Sequence, residues 1–195
     1  MNITQKQYKW NGSLSYRLAT KYIVLHHRAG TGAVDSIHAQ HVKQGWTGIG
    51  YHYYIRLDGT IYTGRPEKAV GAHTVNYNSH SVGVCFEGNY EVTNTMPKEQ
   101  FDAGQALIQS LREAYPTAKV VRHRDLQATA CPGQFFPFNT ITTAPPAEDA
   151  EMTLDEAKAI VKKHAKLDAS SIQYLDFYKY AKDLIIKLAK GYIEK

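Results

Sequence analysis

The spacing of apolar residues divides the first part of the chain into short strands and longer helices. Short apolar or alternating runs are typical of strands, and apolar residues repeating about every 3.6 positions are typical of helices. Strands are predicted at 22–27, 50–56, 61–64, 81–87 and 119–122. Helices are predicted at 35–45 and 98–115. Strands interleaved with helices indicate an α/β fold with a mixed central β-sheet flanked by helices.

Local signals mark the ends of some of these elements. Asp35 and Ser36 predict a side-chain cap at the start of the first helix, and Gly45 predicts its end. The sequence Leu57-Asp-Gly-Thr60 predicts a tight turn that joins two strands into a hairpin.

The composition changes after residue 143. Residues 144–151 are rich in proline and acidic side chains, which is typical of a linker. Residues 152–195 contain one glycine, no proline and many helix-favouring residues. The predicted organisation is therefore a domain at 1–143, a linker at 144–151 and a small C-terminal all-helical module at 152–195.

Within this module, apolar spacing predicts two or three short helices packed on one another. Thr153 and Glu156 fit a capping box at the first helix start. One face of that helix is predicted to carry Leu154, Ala157, Val161 and His164. A second start is predicted at Ser170–Ser171. The apolar and aromatic residues that follow it are Ile172, Leu175, Tyr178, Leu184, Ile185 and Leu188.

Composition is that of an ordinary soluble protein, with 43% hydrophobic and 21% charged residues. No apolar run approaches the roughly 18 residues that span a membrane, so no membrane insertion is expected. The first residues lack the apolar core of a secretory signal peptide. We therefore expect a chain made in the cytoplasm that needs another route if it acts outside.

The net charge of +5 is unevenly distributed. From Pro145 onward nine acidic residues balance nine lysines, so the excess lies in the preceding part. A basic domain suits an anionic partner such as a phosphate-rich cell wall, although a surplus on a solvated surface is an equal alternative. Nucleic-acid binding is not expected, because no basic patch with interleaved aromatic residues occurs.

The most informative candidates for chemistry are His26 or His27, His123 and Cys131. Histidine and cysteine are preferred zinc ligands, and a catalytic zinc usually takes three of them. The histidines follow predicted strands, which are rigid supports. Cys131 lies eight residues beyond His123, so the chain must loop back, and a turn is predicted at Cys131-Pro-Gly133. Successive strand residues face opposite ways, so periodicity leaves the choice between His26 and His27 open.

Several short motifs occur together between about residues 20 and 140. They are IVLHH at 23–27, QGW at 44–46, GYHYYI at 50–55, DGT at 58–60, AVGAHT at 69–74, YN at 77–78, SVGVCFEG at 81–88, RH at 122–123 and ACP at 130–132. In these motifs and their order the chain resembles the type-2 N-acetylmuramoyl-L-alanine amidases, which include phage endolysins, bacterial autolysins and animal peptidoglycan-recognition proteins.

The resemblance implies a role for each matching residue. One catalytic zinc is expected on His26, His123 and Cys131. Tyr51 is expected to line the site opposite the metal and Thr129 to assist. Family members often carry lysine at the position of Thr129, so no cationic clamp is expected there.

The loop before His73 resembles the wall of the family's cleft, which implies that His73 and Asn78 contact the stem peptide. The remaining candidates are interpreted as structural. His27 and His52 are expected to face away from the site, and Cys85 to be a core residue without a disulfide. Glu87 either orients a ligand histidine or caps a turn, and we favour the structural role.

The activity implied by the resemblance is hydrolysis of the amide between the lactyl group of N-acetylmuramic acid and the first L-alanine of the peptidoglycan stem. The expected partner is bacterial peptidoglycan, and the expected protein is a phage or prophage endolysin that acts at the wall after release by a holin. The alternatives are a cytoplasmic muropeptide-recycling amidase and a non-catalytic peptidoglycan-binding protein. Non-catalytic relatives typically lose the cysteine, so Cys131 favours an enzyme. The C-terminal helices are expected to bind the wall or to form a homo-oligomer.

Overall fold

A computed structural model of the chain describes residues 2–143 and 154–166 and the single positions 185, 186, 188, 189 and 192. Internal contacts divide the chain into two units, Met1–Ala144 and Pro145–Lys195. The linker predicted at 144–151 and the helix start predicted at Ser170–Ser171 lie outside the described residues.

The first unit contains one six-stranded sheet. Its strands are β1 (Ile3–Thr4), β2 (Tyr22–His27), β3 (Tyr53–Ile55), β4 (Ile61–Thr63), β5 (Ser81–Phe86) and β6 (Lys119–Arg122). Their spatial order is β1-β4-β3-β5-β2-β6. Only the β3–β4 pair is antiparallel among these neighbours, so the sheet is mixed, as predicted.

The helices of this unit are α1 (Val34–Lys43), α2 (Lys98–Ala114) and the short α3 (Phe138–Ile141). Apolar clusters cover the sheet on both faces, which confirms the α/β class. One cluster joins the sheet to α2 through Leu107, Ile108 and Leu111. The other cluster joins it to α1 through Val34 and Ile37.

Strand β2 lies between β5 and β6, where both faces of the strand are covered. Its residues Ile23, Val24 and Leu25 are fully buried, which explains an unbroken apolar run instead of an alternating one. Because β2 and β6 run parallel, their carboxyl ends meet at the same edge of the sheet. His26 and the residue that follows β6, His123, are thereby brought together.

Two local predictions were wrong. The N-cap of α1 is Ala33, with no side-chain cap, and the Ser36 hydroxyl donates to the Ala33 carbonyl. Strand β3 is shorter than the predicted 50–56. Before it, the Gly50 N–H donates to His41 Nδ1 at 3.1 Å, so this stretch is bonded to a helix side chain.

In the second unit, helix α4 (Leu154–Ala165) begins within the predicted module. Its buried residues Ala157 and Val161 pack with Ile185 and Ala189. Leu188, which follows the second predicted start, is 43% exposed. Among the helices of the described residues, none has the length and apolar character needed to cross a membrane.

Candidate metal centre

Two histidines and a cysteine meet at the carboxyl edge of the sheet. Potential ligand atoms of His26, His123 and Cys131 all lie within 4.8 Å of one another. His26 Nδ1 is 3.7 Å from Cys131 Sγ. Tetrahedral zinc, with bonds of about 2.1 Å to nitrogen and 2.3 Å to sulfur, places such atoms about 3.6 Å apart. The three residues therefore fit a zinc ion.

Strand alternation decides between the paired histidines once the sheet is in place. His26 is 1% exposed and faces the other two ligands. His27 faces the opposite side, where its Nδ1 accepts the Tyr90 N–H at 3.0 Å. The structure thus brings His26 to the centre and ties His27 to the backbone.

His123 begins a short 3₁₀ turn, His123–Asp125. The Asp125 carboxylate accepts the Arg122 N–H at 2.8 Å and pairs with the Arg122 guanidinium at 2.8 Å, which fixes the turn. His123 Nε2 lies 2.8 Å from the Gln127 side-chain oxygen. Because an amide oxygen only accepts, Nε2 carries the proton and Nδ1 is left for a metal. Sequence reasoning missed Gln127.

The chain returns from His123 to Cys131 through a loop closed by backbone hydrogen bonds. Arg124 N donates to the Cys131 carbonyl at 2.9 Å, and Gly133 N donates to the Ala130 carbonyl at 2.8 Å. A side chain at Gly133 would put Cβ 2.1 Å from a Tyr90 backbone carbon, and φ there is +102°. The predicted turn at the cysteine is therefore confirmed.

Burial sets the protonation of the ligands. Burial lowers the pKa of the His26 ring well below its ordinary value, and the His123 ring lowers it further. Burial raises the pKa of the Cys131 thiol to about 11, against the opposing charge of Arg124. His26 is therefore neutral, as a metal ligand must be, while metal binding has to displace the proton of the thiol.

Tyr51 and Thr129 flank the centre. The Tyr51 ring lies 5.2 Å from the His26 ring. Burial raises the pKa of the Tyr51 hydroxyl well above its ordinary value, and the nearby thiols raise it further. The phenol therefore stays protonated and is suited to donate rather than to act as a base. Thr129 Oγ1 accepts the Cys131 N–H at 3.2 Å, which leaves its own hydrogen free to donate.

His73 and Asn78 are close to the centre but are engaged with the protein. Asn78 Oδ1 accepts the N–H groups of His73 and Thr74 at 2.8 and 2.9 Å. The His73 ring is 9% exposed, and its Nδ1 lies 3.0 Å from His26 Nε2. Their contact with the stem peptide stays a prediction.

The other polar residues at this edge tie loops together. Glu87 accepts the N–H groups of Gly32 and Leu57 at 2.7 and 3.1 Å and pairs with Arg56 at 3.1 Å. These bonds assign Glu87 to holding the loops. Cys85 and Cys131 are both free thiols, and Cys85 is buried in the core.

Comparison with known proteins places this architecture in a family. The family model for N-acetylmuramoyl-L-alanine amidase matches residues 16–134. The endolysin of Enterobacteria phage K11 is 41% identical over 104 residues, covering 51% of this chain and 68% of that protein. Peptidoglycan-recognition protein SC2 of Drosophila melanogaster is 37% identical over 128 residues, covering 57% of this chain and 67% of that protein.

A solved structure agrees with the sequence matches. The N-acetylmuramoyl-L-alanine amidase LysC from Clostridium intestinale URNW has a TM-score of 0.70 and 39% identity, covering 72% of this chain and 95% of that chain. The chain belongs to the N-acetylmuramoyl-L-alanine amidase family and is an endolysin-type enzyme of that family.

Proposed function

We propose that this chain is a zinc-dependent amidase that hydrolyses the bond between the lactyl group of N-acetylmuramic acid and L-alanine in peptidoglycan. The observation that carries the proposal is the convergence of His26, His123 and Cys131 within 4.8 Å. Two histidine nitrogens and one cysteine sulfur leave the fourth position of a tetrahedral zinc free. An open fourth position is typical of catalytic rather than structural zinc sites. Family membership supplies the class of substrate.

Zinc bound by these residues would supply a water of lowered pKa, about 7, and polarise the scissile carbonyl. The chain supplies hydrogen-bond donors. The protonated Tyr51 hydroxyl and the free hydrogen of Thr129 donate to the carbonyl oxygen as it gains negative charge. Each well-placed donor contributes roughly 2.7–4 kcal/mol to lowering the barrier. Asn78, with the loop that it holds, lines the side of the cleft that receives the stem peptide.

We further propose that the enzyme acts on the intact cell wall after release by a holin-type protein. The support is the likeness to a phage endolysin. A muropeptide-recycling enzyme would instead prefer soluble fragments. A purely binding protein would not need a complete ligand set, and this chain keeps both histidines and Cys131.

Digestion of purified walls tests the proposal. We expect about one zinc per chain, release of new L-alanine amino groups, and products whose masses show intact glycan strands separated from intact stem peptides. A strong chelator should abolish turnover and added zinc should restore it. Turnover that survives metal removal, or products cut within the glycan or the stem, would reject the proposal. Faster cleavage of soluble muropeptides than of walls would favour the recycling role.

A further inference from the structure

The two ring nitrogens of His26 face different partners. Nδ1 faces Cys131 Sγ at 3.7 Å, on the side of the metal centre. Nε2 faces His73 Nδ1 at 3.0 Å, on the side of the protein interior. Since a neutral imidazole carries one proton, only the tautomer with hydrogen on Nε2 offers Nδ1 to a metal.

A series of hydrogen bonds fixes that proton, beginning at a group that can only accept. The Ser81 hydroxyl donates its single hydrogen to the Tyr77 carbonyl at 2.8 Å. Ser81 Oγ lies 3.3 Å from His73 Nε2 and must therefore accept from it. A neutral His73 protonated on Nε2 presents an unprotonated Nδ1. His73 Nδ1 then accepts the Nε2–H of His26.

The surroundings hold the His73 ring in this orientation. A Cβ at Gly83 would lie 2.6 Å from His73 Cγ, and a Cβ at Gly71 would lie 2.5 Å from His73 Cδ2. The ring therefore occupies a slot between two glycines. Thr74 Oγ1 lies 3.4 Å from His26 Nε2 and 3.0 Å from His73 Nδ1. The Thr74 oxygen is therefore a second acceptor that faces the Nε2–H of His26.

We propose that His73 is a positioning residue, which accepts the Nε2–H of His26 and thereby keeps His26 in the tautomer that binds the metal through Nδ1. The proposal rests on the zinc site of the proposed function. It takes the place of the predicted contact between His73 and the stem peptide.

The test measures two properties of the full chain that do not depend on catalytic turnover. Histidine nitrogen NMR of the metal-free protein reports the tautomer of His26, and competition with a chromophoric chelator reports zinc affinity. Loss of such a partner typically weakens metal binding roughly 10–100-fold. We expect this loss in His73→Ala, together with the appearance of the Nδ1–H tautomer of His26.

Two further variants make the result specific. His73→Asn places an amide oxygen near the position of Nδ1 and should recover most of the affinity. Ser81→Ala removes the acceptor of His73 Nε2–H and should shift both readouts in the same direction by a smaller amount. The matched control is His52→Ala, since His52 is also buried but bonds the Gly83 N–H and the Ala69 carbonyl. It should lower the melting temperature without changing the His26 tautomer.

Unchanged tautomer and zinc affinity in His73→Ala would overturn the proposal, as would a raised KM for walls with unchanged zinc affinity. If His73→Ala does not fold, Ser81→Ala and His73→Asn decide the question by the same readouts. Failure of the wild-type chain to bind zinc would instead reject the proposed function, so the two failures are distinguishable.

Discussion

His123 Nε2 and the Gln127 side-chain oxygen lie 2.8 Å apart, one turn of chain from each other. This bond leaves Nδ1 of His123 available to the zinc of the proposed function. We expect Gln127→Ala to weaken zinc binding roughly 10–100-fold. Gln127→Glu, which keeps an accepting oxygen, should retain near wild-type affinity.

Chelator competition measures both variants. The control is Gln109→Ala, because Gln109 is partly exposed and bonds Glu113 on the surface of α2. Equal affinities for Gln127→Ala and the control would show that the bond does not orient His123.

Tyr51→Phe should separate catalysis from metal binding. If the Tyr51 hydroxyl donates to the developing oxyanion, its removal lowers kcat roughly 100–1000-fold. Zinc content should stay unchanged. Steady-state kinetics on soluble muropeptides measures kcat and KM separately. Tyr53→Phe is a matched control, since Tyr53 donates its hydroxyl to Glu67 instead. A loss of activity that appears only as a raised KM, with kcat unchanged, would argue against a donor in the transition state.

The two cysteines should differ sharply in their effect on zinc. Cys131→Ala removes a ligand, so we expect loss of bound zinc and of activity. Cys85→Ala removes a buried thiol that packs in the cluster beside α1. It should cost about 1 kcal/mol of stability and keep the zinc. Elemental analysis after gel filtration, with thermal unfolding, measures both. Zinc retained by Cys131→Ala would contradict the ligand assignment.

Glu87 should make stability depend on pH. Burial alone would raise the pKa of the Glu87 carboxyl. Hydrogen bonds from the Gly32 and Leu57 N–H groups and from Arg56 outweigh burial and lower it. A carboxyl with a lowered folded pKa stabilises the fold above its unfolded pKa, about 4.3, and this stabilisation is lost as pH falls through the folded pKa.

We therefore expect Glu87→Gln to reduce the free energy of unfolding at neutral pH by about 1–3 kcal/mol. The difference from wild type should shrink below about pH 4. Denaturant unfolding across a pH series measures it. Glu99→Gln, at an exposed position in α2, serves as control. A difference that stays constant with pH would refute the role of the charge.

The sequence predicts the strands well where burial leaves a simple pattern. Strand β2 has the predicted bounds because both of its faces are covered, so the residues before its two histidines form one apolar run. The cap of α1 was mispredicted because the helix begins at Val34, which places Asp35 and Ser36 inside its first turn. There Asp35 pairs with the Lys6 ammonium at 2.7 Å. A local pattern cannot reveal a partner that a distant segment supplies.

The same limit applies to the site. The candidate ligands were predicted from residue types at strand ends and from a family resemblance. The contact between His26 and His73 joins residues 47 positions apart, and it depends on the β2–β5 register and on the loop before β5. Gln127 is one polar residue among many until the turn after β6 places it beside His123.

The tight fit around His73 constrains any effort to make this enzyme more heat-resistant. Glycine inside a strand is an obvious candidate for replacement, since alanine there ordinarily stabilises by roughly 0.5–1 kcal/mol. At Gly83 the added methyl group would collide with the imidazole of His73. A thermostability library should therefore leave this position unchanged, because moving the His73 ring would weaken the metal binding that we propose for His26.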